Sequence, residues 1–439
     1  MGLFNSSYSV NEKEAVELIG EKAITLNGFD SLDKLMEKIG DARVVMLGEA
    51  SHGTHEYYTW RSNITKRLIK EKNFNFIAVE GDWPDCYNIN SYIKGENKDL
   101  ASAKEVLTKF GRWPAWMWAN WEISALTEWL YNYNQQQNQK IGFYGLDVYS
   151  LWESLEAIRN YLQKEHPGAL QKATETFRCF EPYKGDETSY AYASRLVPEL
   201  CEDEVLELLQ EIQKRLPENK TSEKGIYNAE QNALIAVNAE RYYRAMIRSN
   251  SESWNIRDSH MQETLERLLD FHGPDSKAVV WAHNTHIGDA SATDMADEGM
   301  YNIGQLARQK FPGQTFLVGF GSYNGTAIAG KNWGAKMENM LMPDGRKGSW
   351  EYLLHKAGTE NKLLLMDDFR NSILSDIHID HRAVGVVYRP ENERYGNYVP
   401  SIIPSRYDAF IYIDKTMALH PLHMHTTGNL VPETYPFGM

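Results

Sequence analysis

The chain predicts an α/β protein: a mostly parallel central sheet flanked by helices, with a large all-helical insertion. Three observations carry that expectation. Short apolar runs alternate with helical stretches, the pattern of a parallel sheet buried on both faces. Many of those runs stop at a carboxylate, an imidazole or a glycine, where open α/β sheets place ligands and chemistry. From about Ser150 to Asp275 the strand pattern lapses, and only helical spacing remains, as in Leu151, Leu155, Ile158 and Leu162 or Val205, Leu208, Leu209 and Ile212. The chain therefore divides into a first part of the α/β core at 1–149, a helical insertion at 150–275 and a second part of the core at 276–439.

The expected strands are Arg43 to Leu47, Phe74 to Val79, Ile141 to Leu146, Ala278 to Ala282, Thr315 to Val318, Leu363 to Met366, Ala383 to Val387 and Phe410 to Ile413. The first ends in Gly48-Glu49-Ala-Ser-His52-Gly53, and a helix follows with Tyr57, Arg61, Ile64 and Leu68 on one face. Arg61 thus lies on an apolar face, where a cation is costly unless paired. It either snorkels to the rim or, as the pattern favours, aims its guanidinium beside Glu49 and His52. The later strands end at Glu80, at Asp147 and at His283-Asn284-Thr-His286. Carboxyl ends of parallel strands share one rim, so these residues are expected together. Between them, Trp113, Trp116, Trp118 and Trp121 fall within nine residues. Such a block either packs the core or walls a cleft for a bulky apolar ligand.

Composition excludes some functions. The 439 residues carry a net charge of −14 with no dense Lys/Arg cluster, which argues against nucleic acid and anionic membrane surfaces as partners. No stretch approaches the ~20 apolar residues of a membrane span, and Met1 to Tyr8 lacks a signal-peptide pattern. It fits only the loose myristoylation pattern at Gly2. Cys86, Cys179 and Cys201 form no CxxC pair and read as reduced thiols of a cytoplasmic protein.

Several motifs fail on spacing. Gly48 to Gly53 has one residue too many before Ser51 for a nucleophile elbow. Gly319-Phe-Gly321-Ser-Tyr-Asn-Gly325 is not a dinucleotide fingerprint, and His52-Gly-Thr-His55-Glu56 is not a zincin helix. The remaining histidines, glutamates and arginine suit hydrolysis of an ester: an imidazole near its intrinsic pKa activates water, and a carboxylate fixes its tautomer. An arginine on the same wall stabilises the oxyanion. The same His/Glu/His groups are also able to bind Zn²⁺ or Fe, which leaves a metal-dependent hydrolase or a non-catalytic metal- or haem-binding protein as rivals.

Gly48-Glu49-x-x-His52-Gly53, Arg61, Val79-Glu80, Trp116-Met-Trp118, Gly145-Leu-Asp147-Val-Tyr, Asn255-x-Arg257-Asp258-x-x-Met261, Trp281-Ala-His283-Asn284-x-His286 and Tyr407-Asp-Ala-Phe together resemble the erythromycin esterase-like family. Members of that family are often labelled succinoglycan biosynthesis proteins. The better-studied ones open the lactone ring of macrolide antibiotics, a resistance activity, with water and no metal. The resemblance implies His52 as general base, with Glu80 and Arg61 supporting it. Glu49, His283 and His286 complete the catalytic set, with Trp113, Trp116, Trp118, Asp147 and Asn284 on the substrate side. It implies a small-molecule ester substrate and no cofactor. Ala119 and Trp121 depart from the family's more usual arginine and small or polar residue, which touches the substrate wall and not the catalytic groups.

Overall fold

The computed structural model describes residues 11–423 apart from 98–99, 185, 198–199 and 215–223. The Gly2 pattern lies outside the described residues. The strands, in chain order, are β1 (Ile24–Thr25), β2 (Val44–Leu47), β3 (Phe76–Asp82), β4 (Gly142–Asp147), β5 (Ala278–Trp281) and β6 (Thr315–Gly330). They continue with β7 (Met337–Met342), β8 (Lys362–Leu365), β9 (Ile379–Arg382), β10 (Tyr398–Ser401) and β11 (Ala409–Thr416). Nine of them form one sheet in the order β1-β8-β11-β6-β2-β5-β3-β4, with β7 paired to β6. From β11 to β4 every pairing is parallel.

Strand β2 shows why such runs are continuously apolar. Val45 and Leu47 pack into one core layer with Ile64 and Leu68 of the helix His55–Lys72. Val44 and Met46 pack into the opposite layer with Leu265 and Leu268. All four side chains are buried, so neither face of the central strand tolerates a polar residue.

Two expected strands differ in the structure. Leu363 to Met366 does form β8, but it runs antiparallel to β11 and to β1 at the sheet edge. Its Asp367 therefore leaves by the opposite rim, where it pairs with Lys38 and Arg370. Ala383 to Val387 does not join the sheet. The pairing falls just before it, where β9 and β10 form a separate two-stranded ribbon, and Val384 and Val387 make only isolated bridges to Ser51 and Gly330. The anchor is polar: buried His381 and Arg382 are held by Glu351 and Glu393. Strand β6 also outruns its apolar start, continuing through its glycines to pair with β7. Gly325 sits at φ +147°, and a Cβ there would lie 2.1 Å from the Thr416 carbonyl oxygen, so glycine is what lets β6 and β11 stay in register.

Between β4 and β5 the described residues hold helices and no strand. Helices Leu151–Glu165, Glu202–Gln213 and Lys224–Met246 surround a third core that includes Leu155, Val205, Leu208 and Ala233. The reading of three reduced thiols is corrected here. Cys179 and Cys201 form a disulfide across 22 residues, and only Cys86 is a free, buried thiol. The return of Cys201 onto the end of the helix Leu170–Phe180 is a tertiary event with no spacing signature. The cytoplasmic expectation thereby loses its cysteine argument. Among the described residues no helix is long and apolar enough to cross a membrane. The last helix of the region, Asn250–His272, is capped by Ser249 and leads back to β5.

Candidate active site

A cavity of about 130 Å³ opens at the carboxyl ends of β3 and β4. His52, Glu80, Asp147 and Arg257 contribute its polar wall, and Trp113, Trp118, Tyr149 and Trp333 contribute much of its aromatic wall.

His52 reaches the cavity because β2 stops at Leu47 and the chain turns before the helix His55–Lys72 begins. The turn is tight: a Cβ on Gly53 would lie 1.9 Å from the Ile328 carbonyl oxygen. His52 Nδ1 is 2.8 Å from Glu49 Oε1, and Arg61 Nη2 donates to Glu49 Oε2 at 2.5 Å. A carboxylate that accepts from both fixes the His52 tautomer, with the proton on Nδ1 and the lone pair on Nε2. Arg61 is fully buried, its guanidinium carbon 4.4 Å from the Tyr58 ring and 4.6 Å from the Trp281 ring. It lies behind Glu49 and does not line the cavity, so it reaches the chemistry only through that carboxylate.

A second network stands opposite. Arg257 Nε and Nη2 donate to the two carboxylate oxygens of Asp147 at 2.9 and 2.6 Å, and Nη2 also donates to Glu80 Oε1 at 2.7 Å. Glu80 Oε2 accepts the backbone N–H of His283 at 2.7 Å. Burial pushes the Glu80 carboxyl up, yet the group is held well below the usual range, with the fixed charge of Arg257 against its Oε1. Burial would also discharge Arg257, but the Asp147 and Glu80 carboxylates keep it charged.

His286 is pulled two ways. Burial lowers it, yet the Asp258 and Glu80 carboxylates raise it to about 9. The distances are those of the neutral ring: Arg257 Nη1 lies 2.9 Å from Nε2, which must accept, while Nδ1–H donates to Asp258 at 2.9 Å. The guanidinium contact decides the matter, because a second N–H cannot face it. Protonation requires Arg257 to withdraw and Glu80 Oε1, 3.4 Å away, to accept in its place.

His283 is neutral, held well below its ordinary value by burial. Its Nδ1 accepts the Thr285 N–H at 3.3 Å, which leaves the proton on Nε2. That Nε2 is buried. The His52 and His283 ring centroids are 4.9 Å apart.

Of the expected substrate-side residues, Asp147, Trp113 and Trp118 line the cavity. Trp118 also donates its Nε1–H to the Glu80 carbonyl at 3.1 Å, and Trp113 packs against exposed Trp333 with centroids 4.7 Å apart. Trp116 is buried in the core, away from the lining. Asn284 is also away from it, donating to the Phe320 carbonyl at 2.6 Å and filling the space a Cβ on Gly48 would need. Sequence reading left Arg257, Asp258, Tyr149 and the cavity carboxylates Asp82 and Asp85 unassigned. Arg257 had a usable signal: it shares a helix face with Met261, Leu265 and Leu268, the criterion that singled out Arg61.

Fold and rim together define an α/β protein whose ionisable groups gather at the carboxyl ends of parallel strands. The chain belongs to the erythromycin esterase family, which matches residues 69–416. That match includes Glu80, Asp147, Arg257, His283 and His286 and begins after Glu49, His52 and Arg61. A protein of Escherichia coli called erythromycin esterase type II is 24% identical over 371 residues, covering 79% of this chain and 85% of that protein. A putative hydrolase of Bacillus subtilis, YbfO, is 21% identical over 394 residues, 85% of this chain and 83% of that one. Among solved structures, a succinoglycan biosynthesis protein superposes with a TM-score of 0.76 at 20% identity, over 94% of this chain and 99% of the other. An erythromycin esterase mutant in its open conformation gives 0.64 at 16% identity, over 89% of this chain and 94% of the other.

Proposed function

We propose that the protein hydrolyses a lactone or other bulky carboxylic ester, of macrolide type or simpler, with water activated by His52 and no covalent intermediate. One observation carries the reading: His52 sits on the cavity wall with Nδ1 tied to Glu49, and the same cavity is lined by the cationic Arg257. An imidazole whose Nδ1 is held by a carboxylate offers Nε2 as a general base, and a fixed cation nearby is an electrophile.

His52 Nε2 takes a proton from water as its oxygen adds to the ester carbonyl carbon. The charge that develops on the carbonyl oxygen is met by Arg257, which lines the cavity, whereas His283 lies behind that lining. Collapse breaks the bond to the alkoxide, which recovers the proton from His52. Ester and water become acid and alcohol, and the base is regenerated. Glu80, Asp147 and the Asp258–His286 pair hold Arg257 in place. Trp113, Trp118 and Trp333 suit an apolar ring, because aromatic faces bind large apolar area at low entropy cost.

A metal-dependent hydrolase is the second reading. Against it stands the position of Arg257, which bridges Glu80, Asp147 and His286 where a shared metal ion would have to bind. The test is mass spectrometry of the purified protein with a panel of macrolides and simple lactones in ¹⁸O-water. The expected product carries one added water with the label in its carboxylate. No water-added product from any substrate would refute the esterase reading for those substrates, and loss of activity on chelation would favour the metal.

A further inference from the structure

A second cluster lies outside the cavity. His55 Nδ1 is 2.6 Å from Glu122 Oε1, and His420 Nδ1 is 2.7 Å from the same oxygen. The candidate ligand atoms of these three residues all lie within 4.8 Å of one another. Glu122 is almost completely buried, His55 is partly buried, and the His420 side chain is 38% exposed, which opens one side of the group to solvent.

The three side chains are held by backbone. His55 begins the helix His55–Lys72, and its N–H donates to the Met417 carbonyl at 2.8 Å. Glu122 lies in the first turn of the helix Trp121–Gln135, and the Trp121 N–H donates to the His420 carbonyl at 3.0 Å. The Leu419 and Leu422 amides reach the Gly53 and Ala119 carbonyls at 3.0 and 2.9 Å. Glu56, beside His55, holds the Met417 amide at 2.8 Å. The donors are therefore arranged before any ion arrives.

We propose that His55, Glu122 and His420 form a binding site for a divalent ion of the zinc type. Two imidazoles and one carboxylate are a borderline N/O donor set, favouring Zn²⁺ over Mg²⁺ or Ca²⁺. Tetrahedral bonds of about 2.0–2.1 Å place ligand atoms about 3.4 Å apart. The two imidazole–carboxylate contacts thus open by less than an ångström as each ring moves its proton to Nε2 and the ion enters between them. The exposed side leaves room for water as the remaining ligand. The ion would tie together the loop that carries His52, the helix that follows the tryptophan block and the segment 417–422. Its role is structural, and it stands apart from the chemistry proposed for the cavity.

The test is calorimetric titration of Zn²⁺ into the tag-free, chelator-stripped full chain, with melting followed in parallel. The expected result is one ion per chain and a higher Tm for the unaltered protein and for His283→Ala. His420→Ala, a change at the most exposed of the three ligands, should lose both the ion and the Tm rise while its circular dichroism stays native. Glu122→Gln should bind at least tenfold more weakly, and Mg²⁺ should give no saturable heat. Absence of saturable Zn²⁺ binding, unchanged binding in His420→Ala, or loss only in His283→Ala would overturn the proposal.

Discussion

The two walls of the cavity use the same residue types to opposite ends. On one wall Glu49 is shared by His52 and Arg61, and the arginine is the buried member. On the other, Glu80 and Asp147 are shared by Arg257, the arginine faces the cavity, and His286 is the buried member. The first wall therefore presents a titratable nitrogen and the second a permanent positive charge. Which member of a His–carboxylate–Arg set faces the substrate decides whether that wall supplies a base or an electrophile.

The sharpest way to break the contrast is His52→Ala. Ester hydrolysis should fall by about 10³-fold or more, roughly 4 kcal/mol of transition-state stabilisation, with Tm nearly unchanged because His52 makes a single side-chain bond. Arg257→Gln should lower kcat by about 10²–10³-fold. It should also cost stability of about 3–5 kcal/mol, since Glu80 and Asp147 are left buried without their cation. A normal Tm would show that these carboxylates find another partner. Glu49→Gln should lower kcat about 10–100-fold, because the imidazole loses the carboxylate that fixes its tautomer. If KM moved instead, Glu49 would belong to substrate binding. Trp113→Ala should raise KM several-fold with little change in kcat, the sign of binding shared by ground and transition states.

The smallest effect concerns Asp85 on the cavity wall. Burial raises its carboxyl to about 6. A raised folded pKa means that ionisation opposes folding: the penalty is absent below the unfolded pKa of about 3.9 and complete above about 6. Asp85→Asn should therefore stabilise the protein by on the order of 1 kcal/mol at pH 8, and melting curves should show the gain vanish near pH 4. A constant gain at both pH values would point to packing instead.

Much of this was legible in the chain. Buried parallel strands announce themselves as apolar runs, so β2 to β5 and their polar ends could be read directly, and Arg61 stood out as a cation on an apolar face. The misses share a cause. The antiparallel direction of β8, the separate β9–β10 ribbon and the Cys179–Cys201 bond all depend on which segments meet, and no local pattern records that. Arg257, quoted only within a motif, was given no role because it lies in the helical insertion, although it bonds to residues at the ends of β3 and β4.

That last contact makes the helix Asn250–His272 a lever arm. Arg257 lies 15 residues from its His272 end, about 22 Å at 1.5 Å per residue. A tilt of about 5° about that end carries the guanidinium about 2 Å, enough to break its bonds to Glu80 and Asp147. The helix is tied to the neighbouring helix Lys224–Met246, where Gln231 Nε2 donates to Thr264 Oγ1 at 2.9 Å, so the packing of the helical layer sets the register of the charge in the cavity.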